Sequence, residues 1–310
     1  MSVSRVGLGT APLGGLASAA GRRQATETLK AAWAAGIRYF DTAPHDGAGL
    51  AEQRLGAFLT GAGQPRAETT VSTKVGRLPV PGEPAPGDEA FHGAPGLVTV
   101  RDYSADGVYR SLAESLERSG LDAFDIVFIH DPDGCWEQAV RGAYPALARL
   151  RDEGAVRAMG AAMNQTAMLT RFVTETDLDC VLVAGRYSLL DRSAADELLP
   201  ACAERAVGVL VGGVFNSGIL ANLAPDAVYD RAPASKAVLR HARALGERCA
   251  EYGVPLAAAA LRFPLRHPAV TGVVVGARSA QEITVNAALA SMTIPEELWP
   301  ELDVLEAEER

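Results

Sequence analysis

The repeating organisation of the chain is visible in one stretch, 124-FDIVFIHDPDGCWEQAVRGAYPALARLRDEGAVRAMGAAMNQTAMLTRFVTETDLDCVLV-183. Short apolar runs at residues 124–129, 156–162 and 180–183 predict buried strands. Between them, residues 137–151 and 166–174 have the apolar spacing of helices. Strands that alternate with helices in this way predict βαβ units and a parallel sheet.

The same alternation extends over nearly the whole chain. Further strands are predicted at residues 3–8, 37–40, 69–75, 207–211 and 272–275. Further helices are predicted at residues 24–35, 52–59, 104–118, 194–205, 235–252 and 279–290, with Ser104 as an N-cap. About eight strand and helix pairs, uninterrupted by a linker-like segment, predict a single α/β domain over residues 1–310, a (β/α)8 TIM barrel.

The rival architecture is a doubly wound sheet that binds a nucleotide at a G-x-G-x-x-G turn between a strand and a helix. Gly7 and Gly9 are followed by Thr-Ala-Pro, and Gly47 and Gly49 are followed by Leu-Ala-Glu. Neither glycine pair completes the motif. The sequence also has no Walker loop and no H-E-x-x-H motif, and no metal site is predicted.

Two long segments interrupt the alternation. Residues 78–103 are rich in proline and glycine and include Phe91 and His92, and residues 214–233 connect a strand to the next helix. Both follow strands, so we expect them to form long loops at the C-terminal mouth of the barrel, where barrel enzymes hold their active sites.

Composition excludes several classes of protein. Of the 310 residues, 48% are hydrophobic and 22% are charged, as in globular proteins. The net charge of −9 disfavours binding to nucleic acid or to an anionic membrane surface. The apolar stretches are shorter than the ~20 residues that span a bilayer. The first residues lack a secretory signal, which predicts a cytoplasmic protein. The expected partner is a small-molecule substrate. Four scattered cysteines predict free thiols.

Charged and polar side chains stand where three predicted strands end. Asp41 follows one strand, Lys74 lies at the end of the next, and His130 ends a third. Because parallel strands of a barrel end at the same mouth, we expect these three side chains to lie together. A lysine in an apolar strand requires a partner, and Asp41 is the obvious one. A purely structural ion pair with a buried histidine is the alternative.

The segment 36-GIRYFDTAPHDGAGLAEQRLG-56 closely resembles the first signature of the aldo-keto reductases. Similar matches at residues 160–164, 187–190, 212–220 and 276–286 extend the resemblance over essentially the whole chain. Residues 130–133 and 215–220 look most like the branch that oxidises aldoses such as fucose or galactose at C1, which also includes a pyridoxal dehydrogenase.

The resemblance implies a barrel that binds a nicotinamide dinucleotide without a Rossmann domain. It places Asn164 at the carboxamide, with help from Ser188, and Tyr187 against the nicotinamide ring. Glu282 stands where NADPH-specific relatives have a basic residue, which favours NAD, although Arg278 leaves NADP as a second option. The residues implied in cofactor binding are Asn164, Tyr187, Ser188, Gly212, Gly276, Arg278, Glu282 and Asn286.

One departure from the family pattern concerns the catalytic residues Asp41, Lys74 and His130 and their fourth partner. The family's proton-donating tyrosine, five residues after the aspartate, is replaced here by Asp46. Beside Lys74 this carboxylate is expected to be ionised at neutral pH, and so to accept a proton rather than donate one. His130 is the alternative base, because histidine titrates nearest neutrality.

Three functions are consistent with this departure. The first is NAD(P)-dependent oxidation of a sugar-like or cyclic hydroxyl compound, or the reverse reduction, with Asp46 or His130 as the acid or base. The second is a redox-neutral elimination or isomerisation, and the third is a non-catalytic nicotinamide-binding module. His45, Trp136 and Phe215 are predicted to line the substrate pocket, and Tyr103 is a candidate for a displaced phenol. The oligomeric state is left open.

Overall fold

The computed structural model describes residues 3–15, 21–61, 65–83, 96–230 and 232–309. Eight parallel strands close into a barrel in the order β1-β12-β9-β8-β7-β6-β3-β2. These strands are β1 (Val6–Gly9), β2 (Tyr39–Asp41), β3 (Thr70–Val75), β6 (Ile126–His130), β7 (Ala158–Met163), β8 (Cys180–Ala184), β9 (Gly208–Gly212) and β12 (Val270–Gly276). The (β/α)8 fold predicted from the sequence is therefore confirmed.

Helices surround the barrel and follow its strands along the chain. In the described part of the chain they are α1 (Arg22–Ala34), α2 (Leu50–Leu59), α3 (Ala105–Ser119), α4 (Trp136–Gln138), α5 (Tyr144–Asp152), α6 (Thr166–Glu175), α7 (Leu198–Glu204), α8 (Lys236–Glu251), α9 (Leu256–Arg262), α10 (Ala280–Ala290) and α11 (Leu298–Glu309). A π-helical turn, Ala139–Ala143, joins α4 to α5. Ser104 caps α3, as predicted, because its side chain accepts a hydrogen bond from the Gly107 amide at 3.0 Å.

Two apolar layers account for the packing. Inside the barrel, side chains such as Tyr39, Phe128 and Leu210 form a compact cluster. Outside it, the larger core lies between strands and helices and includes Phe40, Val127 and Leu245. Strand residues of alternate parity face these two layers, since successive side chains point to opposite faces of a strand. The polar residues at the strand ends then extend beyond the inner cluster to the mouth.

The two long segments are more regular than the sequence indicated. Residues 78–103 were expected to be a loop, but β4 (Arg77–Pro81) and β5 (Leu97–Arg101) pair as an antiparallel hairpin. Prolines are compatible with β4 because one edge of a two-stranded ribbon needs no amide donors. Within residues 214–233, β10 (Val228–Tyr229) pairs with β11 (Ala232–Pro233). Phe91 and His92 lie outside the described residues.

Other features bear on the composition-based predictions. No helix in the described ranges is long and apolar enough to cross a membrane. Over the same ranges, no group of three or more histidine, cysteine, aspartate or glutamate side chains is placed to hold a metal ion. The four cysteines, Cys135, Cys180, Cys202 and Cys249, are free thiols. Helices α9 and α11 were not predicted, since their short or uniformly mixed sequences show no clear apolar face.

Candidate active site

The ends of β2 and β3 carry a closed network around Asp41. Lys74 Nζ donates to Asp41 Oδ2 at 2.7 Å and to the carbonyl oxygen of Thr42 at 2.9 Å. Ser72 Oγ donates to the other oxygen of Asp41 at 2.6 Å. Tyr39 OH lies 2.9 Å from Ser72 Oγ. Both oxygens of the carboxylate are thus bonded, and the predicted Asp41–Lys74 pair is present.

The charge on Lys74 is secured by its neighbours. Burial by itself would lower the pKa of this ammonium group, because a charged form is poorly solvated inside a protein. The carboxylates of Asp41 and Asp46 outweigh burial, and the pKa of Lys74 is raised above its ordinary value. Lys74 therefore carries a permanent positive charge at the mouth of the barrel.

Asp46 lies in the tight turn between β2 and α2. Its amide donates to the Ala43 carbonyl at 3.1 Å, and its own carbonyl accepts from the Ala51 amide at 3.2 Å. The turn approaches a neighbouring segment so closely that a Cβ on Gly47 would collide with the carbonyl oxygen of Gly14. Gly47 also has a φ of +65°, which favours glycine. The backbone of Asp46 is therefore held from both sides.

The protonation state of Asp46 differs from the expectation. Its side chain is buried, and burial raises the pKa to about 7, against the opposing effect of Lys74 and with further help from Asp41 and Glu52. No hydrogen bond to this carboxyl group forms among the described residues. The sequence-based expectation of an ionised Asp46 counted the charge of Lys74 and not the loss of solvation, whose effect on the pKa is larger. Both proton states are available near pH 7.

A second buried carboxylate supports the turn from behind. Glu52, on α2, accepts from Thr73 Oγ1 on β3 at 2.7 Å and from Arg118 Nε on α3 at 2.8 Å. The Glu52 side chain has no exposed surface, and that of Arg118 is 17% exposed. A buried carboxylate is tolerated only when it is paired and hydrogen-bonded. Glu52 thus joins α2, β3 and α3 directly outside the Asp41–Lys74 network.

His130 ends β6, as predicted, and lies close to His45. The ring centroids of the two histidines are 5.8 Å apart in an edge-to-face arrangement. His45 Nδ1 lies 3.0 Å from Thr99 Oγ1 on β5, which brings the hairpin to the site. Burial, with added repulsion from Lys74 and Arg77, holds the pKa of His130 well below its ordinary value. The imidazole is therefore neutral at pH 7 and does not titrate near neutrality, contrary to the sequence-based expectation.

Tyr103 is not a displaced catalytic phenol. Its single hydroxyl hydrogen is shared between the carbonyl oxygens of His130 and Asp131, each 2.7 Å from the phenol oxygen. Burial raises the pKa of this phenol above its ordinary value. The candidate role of Tyr103 as a proton donor is therefore replaced by a structural one, the support of the loop that follows His130.

Two of the predicted cofactor residues, Tyr187 and Ser188, make contacts within the packing that follows β8. The ring of Tyr187 is 8% exposed and packs against Phe263 and His267, with centroid distances of 5.1 and 6.0 Å. Ser188 is fully buried, and its hydroxyl oxygen accepts from the amides of Leu190 and Asp191 at 3.1 Å. The exposed fraction of Tyr187 equals that of Asp46. The roles of Tyr187 and Ser188 at the nicotinamide stay predictions.

The ends of β8 and β9 present almost no side chains. A Cβ on Gly212 would meet only Leu182 and Ala184, at ordinary contact distances of 3.5 to 3.9 Å. Gly185 and Gly213 both have positive φ, and the Gly185 amide donates to the Gly212 carbonyl at 2.9 Å. Asn216, which the sequence reading did not single out, donates from Nδ2 to the Gly185 carbonyl at 3.3 Å. Its buried Oδ1 has no hydrogen-bond partner among the described residues.

The remaining predicted residues lie either after strand ends or against the outer helices. Asn164, half-buried, follows β7 directly, and Phe215, also half-buried, follows β9. The ring of Trp136 packs against Phe172 at 4.6 Å, with the guanidinium group of Arg171 3.8 Å from its ring centroid. These contacts are with α6, so the structure places Trp136 against the outer helical layer.

The end of β12 and the start of α10 form a separate polar corner. Gly276 ends β12, and Ser279 caps α10 by accepting from the Glu282 amide at 3.1 Å. Glu282 accepts from the Arg278 amide at 2.8 Å and from its guanidinium group at 3.0 Å. Asn286 lies one turn further along α10 and is half-buried. The charges of Arg278 and Glu282 are therefore paired with each other.

Comparison with known proteins identifies the family of this chain. The family model described as "Aldo/keto reductase family" matches residues 5–307. The chain belongs to the aldo/keto reductase family. The protein is therefore an oxidoreductase enzyme.

Among curated aldo/keto reductases, the chain is 44% identical to a D-threo-aldose 1-dehydrogenase from Pseudomonas sp, with 97% of this chain and 94% of the relative covered. It is 39% identical to a pyridoxal 4-dehydrogenase from Microbacterium luteolum, with coverage of 97% and 94%. A solved aldo-keto reductase from Bacillus halodurans, in its holo form, matches with a TM-score of 0.77 at 24% identity, covering 98% and 92% of the two chains. The solved structure confirms the fold alone.

Proposed function

We propose that this aldo/keto reductase oxidises a hydroxyl group of a sugar-like or cyclic compound, such as a lactol, with a nicotinamide dinucleotide. The observation that carries the proposal is Asp46, a buried carboxyl group in the tyrosine position whose pKa is about 7. A general base is most effective when its pKa is near the working pH. The substrate class is supported by the relatives named for D-threo-aldose, pyridoxal and L-galactose.

The residues of the mouth fit a nicotinamide dinucleotide. Buried polar atoms without a partner in the described ranges include Thr42 Oγ1, His130 Nδ1 and Asn216 Oδ1, and such atoms are costly unless a ligand satisfies them. The bare ends of β8 and β9 leave room for a flat group. We propose that Asn164, Gly212 and Asn216 contact the nicotinamide end, and that residues 276–286, at a helix N-terminus, hold phosphate and ribose groups. When bound, this cofactor accepts hydride from the substrate carbon.

The chain's own residues then handle the proton. In oxidation, the ionised Asp46 accepts the proton of the substrate hydroxyl, directly or through a water molecule, since aspartate is shorter than tyrosine. The positive charge of Lys74 favours the ionised carboxylate and an oxygen that becomes negative. Asp41 and the carbonyl oxygen of Thr42 hold Lys74 in place, Ser72 orients Asp41, and the neutral His130 forms a hydrogen bond with the substrate. In reduction, the protonated form of Asp46 donates instead.

The polar corner at α10 supports a preference for NAD. To bind the 2′-phosphate of NADP, Arg278 would have to leave Glu282, and the freed carboxylate would repel the phosphate. A free ribose hydroxyl has no such conflict and is a donor that a carboxylate can accept. We therefore propose NAD as the cofactor, with NADP used less efficiently.

The decisive experiment measures reduced cofactor by absorbance, with NAD and NADP and a panel of aldoses, lactols, pyridoxal and simple alcohols. We expect kcat/KM for oxidation to rise with pH and to level off above pH about 7, as Asp46 ionises. Asp46→Asn should lower kcat by about 10²- to 10⁴-fold and remove this pH dependence. Asp46→Tyr, which restores the family phenol, serves as the comparison variant.

Two outcomes would replace the proposal. A product of unchanged oxidation state, formed without net consumption of cofactor, would favour the redox-neutral enzyme. Cofactor binding in a thermal-shift titration without turnover in either the wild type or Asp46→Tyr would favour the binding module.

Two organisational predictions accompany the proposal. We propose that residues 1–310 form one domain, which predicts a single cooperative unfolding transition in calorimetry. We also propose a cytoplasmic location, which cell fractionation tests.

A further inference from the structure

Four polar side chains connect the interior of the barrel to its mouth. Tyr39 and Asp41 lie on β2, and Ser72 and Lys74 lie on β3. Residues two apart share one face of a strand, so both pairs point into the barrel. Asp41 lies beside Ser72 in the register of the two strands. Tyr39 is the innermost of the four, since its ring belongs to the apolar cluster inside the barrel.

A phenol is unexpected inside this apolar cluster. Tyr39 has no exposed surface, and the cluster around it includes Ile126, Phe128 and Leu210. A Cβ on Gly7 would lie 2.4 Å from the Tyr39 ring, so the ring fits because β1 has no side chain at this point. Phenylalanine would fill the same space without a polar atom that needs a partner. The hydroxyl group of Tyr39 therefore requires an explanation.

The donors and acceptors along the four side chains can be assigned. Lys74 donates to Asp41 Oδ2, and Ser72 Oγ gives its only hydrogen to Asp41 Oδ1 at 2.6 Å. The Ser72 oxygen is then an acceptor, so Tyr39 OH is the donor in the 2.9 Å contact between the two hydroxyl groups. Burial and the charge of Asp41 raise the pKa of the Tyr39 phenol, which keeps its proton at neutral pH. Both hydroxyl groups therefore donate in the direction of Asp41.

We propose that Tyr39 is a positioning residue for Lys74: it fixes the Ser72 hydroxyl, which holds one oxygen of Asp41 while the other oxygen holds the ammonium group. A carboxylate bonded at both oxygens keeps its plane, whereas one bonded only to Lys74 can turn about its last bond and let the ammonium group move. Tyr39 has no exposed surface, so it acts only through the other three side chains. Its effect on catalysis rests on the proposed oxidation. Its effect on Lys74 is a property of the protein without substrate.

The first measurement follows the Lys74 ammonium group by NMR in protein that carries nitrogen-15-labelled lysine. The chain has three lysines, and the other two, Lys30 and Lys236, are exposed. Exposed ammonium groups exchange their protons with water quickly, whereas a buried and hydrogen-bonded one exchanges slowly, so the protected signal belongs to Lys74. Tyr39→Phe keeps the ring and removes only the hydroxyl group. In this variant we expect the protons of Lys74 to exchange about fivefold faster, as for the loss of one hydrogen bond.

Steady-state kinetics separate positioning from general stability. Tyr39→Phe should lower kcat by about fivefold and leave KM unchanged, because Tyr39 does not reach the substrate. Ser72→Ala removes a donor to a charged group and should lower kcat by about 10- to 100-fold. Tyr252→Phe is the matched control, since Tyr252, at the end of α8, also donates from its hydroxyl to a protein oxygen, that of Glu301. It should keep kcat within about twofold of the wild type and leave the Lys74 signal unchanged.

A double variant tests whether Tyr39 acts through Ser72. In Ser72→Ala the Tyr39 hydroxyl is buried without its acceptor, so the addition of Tyr39→Phe should cost no further activity and should raise the free energy of unfolding. The assignment is overturned if Tyr39→Phe lowers kcat by the same factor in both backgrounds, or if Lys74 exchanges equally fast in the wild type and in Tyr39→Phe. Failure of the proposed oxidation shows differently, as a wild type that never forms reduced cofactor while its Lys74 signal still responds to Tyr39→Phe.

Discussion

The two sides of the barrel mouth are built in opposite ways. On the β2–β3 side, the carboxylate of Asp41, the ammonium of Lys74 and the carboxylate of Glu52 are buried, and each is hydrogen-bonded to protein partners. On the β8–β9 side, Gly185, Gly212 and Gly213 present only backbone, and Asn216 Oδ1 has no hydrogen-bond partner among the residues that the structure describes.

This difference separates stability from binding. Charged groups that take part in catalysis are held in a fixed orientation by other protein groups. The groups that hold them also contribute to the folded core. A surface that receives a ligand keeps its space and its polar atoms free. Substitutions on the first side should therefore change stability and activity together, whereas substitutions on the second should change mainly affinity.

The largest expected effect is that of Lys74→Met. The variant leaves Asp41 buried without its countercharge, so we expect the free energy of unfolding to fall by about 3–5 kcal/mol and kcat to fall by about 10³-fold or more. Urea unfolding and initial rates measure the two effects. The exposed Lys236→Met is the control. If the charge pair matters as proposed, Asp41→Asn combined with Lys74→Met should recover part of the lost stability.

Asp46→Asn is expected to change how stability depends on pH. The folded pKa of about 7 lies above the unfolded value of 3.8, so the folded state holds the extra proton between these values. The contribution of Asp46 to the free energy of unfolding is therefore fully present below pH about 4. It decreases as the pH rises and is lost as the pH passes about 7. Relative to Asp46→Asn, the wild type should lose about 2–3 kcal/mol between pH 5 and pH 8.

Urea unfolding of both proteins at the two pH values measures this difference. The difference in free energy of unfolding between wild type and variant could instead be the same at both pH values. Asp46 would then ionise at its ordinary pKa in the folded protein, and its burial would not raise that pKa.

Gly212→Leu tests the β8–β9 side of the mouth. A Cβ at this position meets no close contact, so the fold should lose less than about 1 kcal/mol, while the new side chain fills the space proposed for the nicotinamide. We expect the Kd for NADH, measured by fluorescence titration, to rise by about tenfold. Gly208→Leu, at the opposite end of β9, should leave this Kd unchanged. A large loss of stability with unaltered affinity would contradict the assignment of the β8–β9 side to ligand binding.

The smallest expected effect is that of Glu282→Gln. The substitution frees Arg278 from its ion pair and removes a negative charge from the polar corner. We expect kcat/KM with NADP to rise by about three- to tenfold relative to NAD, since an exposed charge pair contributes little more than about 1 kcal/mol. Initial rates with both cofactors measure the ratio. Glu301→Gln, on α11, provides the remote control, and an unchanged ratio would remove Glu282 from the specificity argument.

The sequence predicts which residues meet at the mouth better than it predicts the contacts made by the loops. The alternation of strands and helices, together with polar residues at strand ends, was enough to bring Asp41, Lys74 and His130 to one mouth. The same reasoning expected the loop that holds Asn216 at the mouth, four residues after β9, but gave this residue no role. Arg77 and Thr99 were missed because their segment was expected to be a loop and is a hairpin.

Tyr187 and Ser188 show what a motif leaves open. Tyr187 packs against Phe263 and His267, and Ser188 accepts hydrogen bonds from its own turn. A motif records which residues recur and does not record the contacts that they make inside the protein. Those contacts come from the packing of α9 and the segment before β12 against this turn, and the roles of both residues at the nicotinamide stay predictions.

The amino-acid sequence by itself determined the barrel, the family and the residue types at the strand ends, because these depend on local periodicity and on the rule that parallel strands end at one face. The tertiary structure alone decided the protonation states, with Asp46 balanced near neutrality and His130 neutral. A pKa depends on desolvation and on charges within a few ångströms, and for Asp46 and His130 these come from segments far apart along the chain.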